Sequence, residues 1–217
     1  MSREHYIDPR EIDAWSLSVA EYASFIYLMR VEYLKKLGIY TKDIALRLSG
    51  GKDEITLEYK SDITDGEEYH TEMHTVEGIP TDIDREAVKR EYYRKLTENI
   101  EREMAVGSSL YGPQRDDINI SINGSPARGF ASQGQKRSIV LSLKLAEGEV
   151  IREIYGEYPV FLFDDVLSEL DEDRRRYIVE GMKDRQIIIT SCESEELAER
   201  ADCIIRVEGG RYVPSYR

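Results

Sequence analysis

The amino-acid sequence predicts an α/β protein in which a parallel sheet flanked by helices follows an amino-terminal antiparallel helical arm with a small β excursion. Two long stretches, 8–37 and 82–105, place apolar residues three and four apart, the period of a helix with one buried face. From Ile118 the period drops to two, and short apolar runs at 159–163, 186–190 and 203–207 then alternate with helical stretches near 172–183 and 194–200. Alternation of apolar strands with helices is the pattern of a parallel sheet covered on both faces. Residues 1–106 are therefore expected to form the arm or lobe, with the excursion near 54–80, and residues 107–217 the sheet-bearing part.

Asp8-Pro9-Arg10-Glu11 opens the first helix, with Asp8 as cap, Pro9 at the first helical position and Glu11 reaching back to the cap amide. Ile12, Trp15, Val19, Tyr22, Ile26, Met29, Tyr33 and Leu37 then form a near-heptad seam, suited to a partner helix or to the core of a compact lobe. Gly38 is predicted to stop the helix after about 28 residues. Leu48-Ser49-Gly50-Gly51 reads as a helix C-terminal stop with left-handed glycines, because Ile55, Leu57 and Tyr59 beyond it alternate like a half-buried strand. His70 and His74 share the i, i+4 spacing of zinc ligands. The Glu is one place late for H-E-x-x-H, however, and Asp65-Gly66 and Gly78-Ile79-Pro80 around them predict strand or loop. The second helix, 82–105, is expected to turn Ile83, Ala87, Tyr92, Leu96 and Ile100 inward.

Ile118, Ile120 and Ile122 alternate into Asn123-Gly124, a type I′ turn pair, with Ala127 and Phe130 on the return strand. Ala131-Ser132-Gln133-Gly134-Gln135-Lys136-Arg137-Ser138 then starts a long helix whose inward residues are Ile139, Val140, Leu143, Ala146, Val150 and Ile154. Its Ser/Gly opening offers a hydroxyl, free amides and the positive end of the helix dipole, which suits a phosphate. An ordinary N-cap by Ser132 would use the same residues. Val160-Phe161-Leu162-Phe163 is a buried strand that ends in Asp164-Asp165. Ligands of open α/β sheets bind beyond the carboxyl ends of strands, and nucleotide-hydrolysing sheets place one carboxylate there for Mg²⁺ and one beside the attacking water. A solvated acidic turn is the other reading of the same string.

Together, the Ser132-Gln133-Gly134-Gln135 turn, the acidic strand and the loop Ser168-Glu169-Leu170-Asp171 resemble the nucleotide-binding heads of ABC-type ATPases. Tyr111-Gly112-Pro113-Gln114-Arg115-Asp116-Asp117, FASQGQKR at 130–137 and LFDDVLSELDEDRRR at 162–176 are similar to the RecF family, with Gln114 where that family usually has His. The resemblance implies ATP sandwiched between two copies of a homodimer. Asp164 then holds Mg²⁺ through water, Asp165 polarises the attacking water, and Ser132, Gly134 and Gln135 touch the γ-phosphate of the opposing copy. It also implies Asp171 and Ser168 at the dimer seam, and Ser191 where ABC heads place a switch histidine. ABC heads more often carry Glu at the position of Asp165, so hydrolysis is expected to be slow. The implied work is DNA replication and recombinational repair within the response to DNA damage: dimerisation on DNA at gaps, helping RecO/RecR-type mediators load a recombinase. The resemblance gives Arg115, Asp116 and Asp117 only a conformational or interface role.

A phosphate-binding loop requires G-x-x-x-x-G-K-[ST], and no such string occurs: Gly51-Lys52 is followed by Asp53, and Leu46 stands where the first Gly belongs. The chain is thus expected to be a carboxyl-terminal portion of such a head, holding half a nucleotide site and binding ATP poorly by itself. Two alternatives remain: a non-catalytic split subunit acting as a partner module, and a Rad50/SMC-like head. The latter needs longer coiled coils and lacks the G-P-x-R-D-D string.

Composition bounds the rest. With 217 residues, 34% of them charged, and no long apolar run or signal-peptide pattern, the chain reads as a soluble, cytoplasmic protein with no membrane partner. Cys192 and Cys203 lack metal spacing and read as reduced packing residues. A net charge of −13 opposes free-standing DNA binding, which draws on Lys and Arg. Lys89, Arg90, Arg94 and Lys95 interleave with Glu86, Glu91 and Glu98, as on a solvated face, while Arg128, Lys136 and Arg137 gather near the serine turn.

Overall fold

The computed structural model describes residues 8–63, 75–76, 79–80, 83–166, 170–182, 184–192 and 201–216. The fold divides into two units, one of residues 1–42 with 54–131 and one of residues 43–53 with 132–217. This division falls at 131/132, where the sequence pattern drew 106/107.

Helix α1 (Pro9–Leu48) belongs to the first unit up to residue 42 and to the second from residue 43, and it starts on the expected Asp8 cap, with the Arg10 amide donating to Asp8 Oδ1 at 2.9 Å. Gly38 does not end it. The helix runs 40 residues, because Thr41, Ile44, Ala45 and Leu48 extend its buried stripe past the glycine and outweigh a helix cost of about 1 kcal/mol. The true stop is the Ser49-Gly50-Gly51 turn, where Gly50 and Gly51 have φ of 61° and 83°. There the Ser49 hydroxyl accepts from the Asp53 amide at 2.8 Å.

The buried face of α1 also differs from the predicted seam. Ser16, Ala20, Ala23, Ser24, Tyr27, Val31 and Leu34 are buried, while Trp15, Val19, Tyr22, Ile26, Met29 and Tyr33 are exposed. The two stripes lie one residue apart, about 100° around the helix. Small and hydroxyl residues carry little weight in a hydrophobic pattern, so the stripe that packs was masked by the bulkier one that does not.

Strand β1 (Ile55–Lys60) buries Ile55, Leu57 and Tyr59 as its alternation predicts. β2 (Thr75–Val76) and β3 (Ile79–Pro80) form a small antiparallel pair. His70 and His74 lie outside the described residues. The second helix is two: α2 (Arg85–Glu98) and α3 (Ile100–Val106), broken at Asn99. Val88, Tyr92 and Leu96 are buried. α1 and α2 run antiparallel, since Asp13 accepts from Tyr93 whereas Glu21 pairs with Arg85 and Lys89. β4 (Asp117–Ile122) pairs antiparallel with β1, Ile55 opposite Ile122 and Lys60 opposite Asp117, which groups 107–131 with the first unit. Asn123 and Gly124, at φ of 50° and 75°, turn the chain into β5 (Ser125–Pro126). Ala127 and Phe130 do not continue a return strand. They lie in a short kinked helix, α4 (Ala127–Phe130), and Phe130 is exposed.

The G-P-x-R-D-D string acquires a physical role here. The Asp116 carboxylate is 2% exposed. Its Oδ2 accepts from the Tyr59 hydroxyl and pairs with the Arg30 guanidinium at 3.3 Å. Arg30 also donates to the Pro113 carbonyl, and Arg115 donates to the Ser109 carbonyl at 2.8 Å. Burial first, and then the Asp116 charge, push the Tyr59 and Tyr92 hydroxyls well above the ordinary tyrosine range. The string is therefore a buried anchor that ties its own loop to α1 and β1.

In the second unit, α5 (Gln133–Tyr155) buries Ser138, Ile139, Leu141, Ser142, Leu145, Ala146, Gly148 and Val150, while Val140 and Ile154, predicted inward, are exposed. Gly148 lies against the Phe161 ring, where a Cβ would collide. β6 (Phe161–Asp164) and β7 (Ile187–Thr190) pair in parallel. α6 (Glu172–Gly181) contributes buried Ile178, and Met182 just after it is also buried. Tyr158 leads into β6 sandwiched between Arg152 and Arg185, 4.7 and 4.0 Å from its ring centre, and Arg185 pairs with Glu149 at 2.7 Å. Among the described residues, Leu162 of β6 is 70% exposed, and Ile188 of β7 is exposed too. β8 (Cys203–Glu208), predicted as another parallel strand, instead pairs antiparallel with β9 (Arg211–Tyr216), which the pattern missed. Cys192 and Cys203 are free, as expected, but exposed rather than packed. The predicted helix near 194–200 lies outside the described residues. Among the described residues no helix is long and apolar enough to cross a membrane.

Candidate functional site

Asp164 ends β6 directly opposite Thr190, the last residue of β7. The Thr190 hydroxyl donates to Asp164 Oδ1 at 2.5 Å, and the Asp165 amide donates to Thr190 Oγ1 at 3.0 Å. The chain then turns sharply, with Asp165 at φ 52°. Left-handed backbone strains residues other than glycine, and Asp and Asn bear it best. Such strain gathers where a side chain must be aimed. Here one carboxylate is tethered to the neighbouring strand and the next is thrown outward, and both residues are exposed. Thr190 is the member of this arrangement that sequence reasoning missed. Its only signal was a hydroxyl at the last position of an apolar strand.

Ser132, Gly134 and Gln135 sit at the start of α5. Ser132 is the N-cap of a reciprocal box, its Oγ accepting from the Gln135 amide at 3.2 Å while Gln135 Oε1 accepts from the Ser132 amide at 3.0 Å. Ser132 and Gly134 are exposed, and a Cβ added to Gly134 would meet nothing within 4 Å, so a ligand has room to approach the backbone. Capping accounts for Ser132 and Gln135 without any ligand. Ser132→Ala is accordingly expected to lower stability by about 1 kcal/mol, read as a shifted urea midpoint without nucleotide.

An open groove of about 700 Å³ runs beside β6, with Lys136, Arg137 and Lys144 from α5 and Asp164 and Asp165 from the strand end among its lining residues. Val140, Ile151 and Leu162 give it an apolar floor. The structure thus brings Asp164 and Asp165 together with the basic first turn of α5. Asp171 caps α6, accepting from the Arg174 amide at 3.0 Å, and pairs with the Arg174 side chain. Arg174 also lies 3.7 Å from Asp53. Ser191 follows β7 and is exposed. Ser168 lies outside the described residues. No group of three or more potential metal ligands gathers among the described residues. Two adjacent carboxylates nevertheless suit Mg²⁺, which keeps several waters and takes one or two carboxylates beside phosphate oxygens.

Fold and acidic tip together define part of an ABC-type ATPase head. No protein-family model matches the chain. It is 35% identical over 196 residues to the DNA replication and repair protein RecF of Clostridium beijerinckii, covering 90% of this chain and 48% of the relative. Against the RecF of Clostridium perfringens (strain SM101) it is 34% identical over 208 residues, covering 94% and 52%. Two solved structures of the recombination mediator protein RecF in the RecFOR pathway, one as RecF-ATPrS and one as RecF-ATP, superpose with TM-scores of 0.76 at 28% and 27% identity. Each match covers 98% of this chain and 52% of the solved one. Over the length it spans, the chain is similar to the RecF family in both sequence and fold. It spans about half the length of the curated relatives it matches.

Proposed function

We propose that this chain is the portion of a RecF-type DNA replication and repair ATPase that contributes the acidic strand and the serine-headed turn of a composite nucleotide site. The observation carrying the proposal is the strained Asp165 beside the Thr190-tethered Asp164, at the carboxyl end of a parallel strand. In this reading Asp164 holds Mg²⁺ through water and Asp165 polarises the water that attacks the γ-phosphate. Mg²⁺, when bound, neutralises charge on the phosphates.

Ser132, Gly134 and Gln135 present the α5 amino terminus to the ATP of a second copy, so ATP bridges a homodimer. Asp171 and Ser168 line its seam, and Ser191 stands where a switch histidine would sense the γ-phosphate. ATP-dependent dimerisation on DNA at gaps, assisting RecO/RecR-type mediators, is the activity this arrangement serves. It is supported by the RecF relatives and by the RecF-ATP structure that the chain superposes on. Hydrolysis is slow, since an Asp base reaches one methylene less far than Glu.

Calorimetric titration with ATP and Mg²⁺ tests the composite site. The chain alone is expected to show no saturable binding at micromolar concentration, and binding is expected to appear once the remaining half of a RecF chain is added. Micromolar binding by the isolated chain would overturn it.

A further inference from the structure

We propose that Thr190 is a positioning residue for the acidic tip, its hydroxyl deciding which carboxylate faces the metal and which faces the attacking water. The role rests on the composite nucleotide site proposed above and extends that site to the neighbouring strand.

β6 and β7 end level, with Asp164 opposite Thr190. One link across this last rung is main chain, the Asp165 amide donating to the Thr190 carbonyl at 3.3 Å. The threonine side chain adds two more. The same amide donates to Thr190 Oγ1 at 3.0 Å, and Oγ1 donates to Asp164 Oδ1 at 2.5 Å. A hydroxyl has one proton to give and lone pairs to accept with, whereas a carboxylate only accepts and an amide N–H only donates. The direction of both side-chain bonds is therefore forced. Amide, hydroxyl and carboxylate form one chain in which each bond polarises the next.

The two carboxylates are held by different means. The terminal torsion of an aspartate is broad and two-fold, so an untethered Asp164 could present either oxygen to the groove that it lines with Asp165, Lys136 and Arg137. With Oδ1 on Thr190, Oδ2 is the oxygen left to meet a metal-bound water. Mg²⁺ demands near-ideal octahedral geometry and keeps several waters, so one fixed direction matters there. Asp165 is held by its amide instead, which keeps the backbone at φ 52° and aims the side chain outward. Thr190 thereby gives Asp164 the metal side and Asp165 the water side. Ile187-Ile188-Ile189 precede it in β7, and a fourth β-branched apolar residue would suit the strand equally well, so the strand itself does not call for the hydroxyl.

The test compares Thr190→Val, which keeps the shape and removes the hydroxyl, with Thr190→Ser, which restores it, beside Asp165→Asn. In the 217-residue chain alone, NMR is expected to show the Asp165 amide displaced and exchanging faster with deuterium in Thr190→Val, and returned in Thr190→Ser. Circular dichroism is expected to be unchanged in both. In the protein completed by the remaining half of a RecF chain, Thr190→Val is expected to lower kcat and raise the half-saturating Mg²⁺ concentration, each about 10- to 100-fold. KM for ATP should stay unchanged, and Thr190→Ser should lie close to the parent. An undisturbed Asp165 amide overturns the role of Thr190. Normal kcat and Mg²⁺ dependence in Thr190→Val beside an inactive Asp165→Asn also overturns it, and leaves the catalytic reading standing. A loss that serine does not repair overturns it too, by tracing the effect to shape rather than to the hydroxyl. Turnover retained in Asp165→Asn overturns both.

Discussion

Asp165→Asn is expected to lower ATP turnover of the reconstituted protein by about 10²- to 10⁴-fold, the usual contribution of a positioned general base, with nucleotide binding unchanged. The substitution is unusually clean at this position. Asn tolerates left-handed backbone as Asp does, so φ 52° and the amide hydrogen bond to Thr190 should survive and only the proton-accepting charge is lost. Asp165→Gly separates strain from chemistry. Glycine relieves the backbone, so the variant is expected to gain about 1 kcal/mol in stability while turnover collapses as far or further. Steady-state phosphate release together with urea midpoints checks both halves of this expectation. Turnover surviving in Asp165→Asn would remove Asp165 from the chemistry and leave the tip as a structural turn.

Asp116→Ala should destabilise the first unit by about 2–3 kcal/mol. Removing one member of a buried pair costs about 3–5 kcal/mol when the other is stranded, but Arg30 is 43% exposed and can turn to water, so its share is discounted. What remains is the Tyr59 hydroxyl, buried and deprived of its acceptor. Among the described residues Asp116 Oδ1 already has no hydrogen-bond partner, so the anchor has little slack to absorb a further loss. Tyr59→Phe alone should cost about 1 kcal/mol, and the double variant less than the sum, because both remove the same bond. Urea midpoints of the four proteins measure the coupling. Strict additivity would show that Tyr59 and Asp116 act independently and that the string is held by its loop alone.

Much of this could be read from residue order. The Asp8 cap, the Ser49-Gly50-Gly51 stop, the Asn123-Gly124 turn, the alternation of β1 and the Ser132 cap are local. Each is set by one side chain's reach to a neighbouring amide, or by which residues accept positive φ, so a window of a few residues contains the cause. The length of α1 was not legible. A glycine inside a helix costs little, and whether the helix survives it depends on what lies beyond to bury Ile44, Ala45 and Leu48. The choice between the two stripes of α1 was hidden for a related reason: packing rewards the close approach that Ala20, Ala23 and Ser24 permit, whereas pattern reading rewards the bulk of Trp15 and Tyr22.

The sequence by itself determined that an apolar strand ends in two carboxylates, that a capped serine turn opens the helix before it, and that no phosphate-binding loop is encoded in these 217 residues. These are matters of residue type and short-range order. Only the tertiary structure decided that Thr190, 25 residues from Asp165, tethers one carboxylate and bends the chain so that the other faces out. It alone placed Asp116 beneath Tyr59 and Arg30, and left one face of α1 open. Strand pairing and burial join residues distant in the chain, and the free energy that selects among such joins belongs to the packed whole rather than to any local stretch.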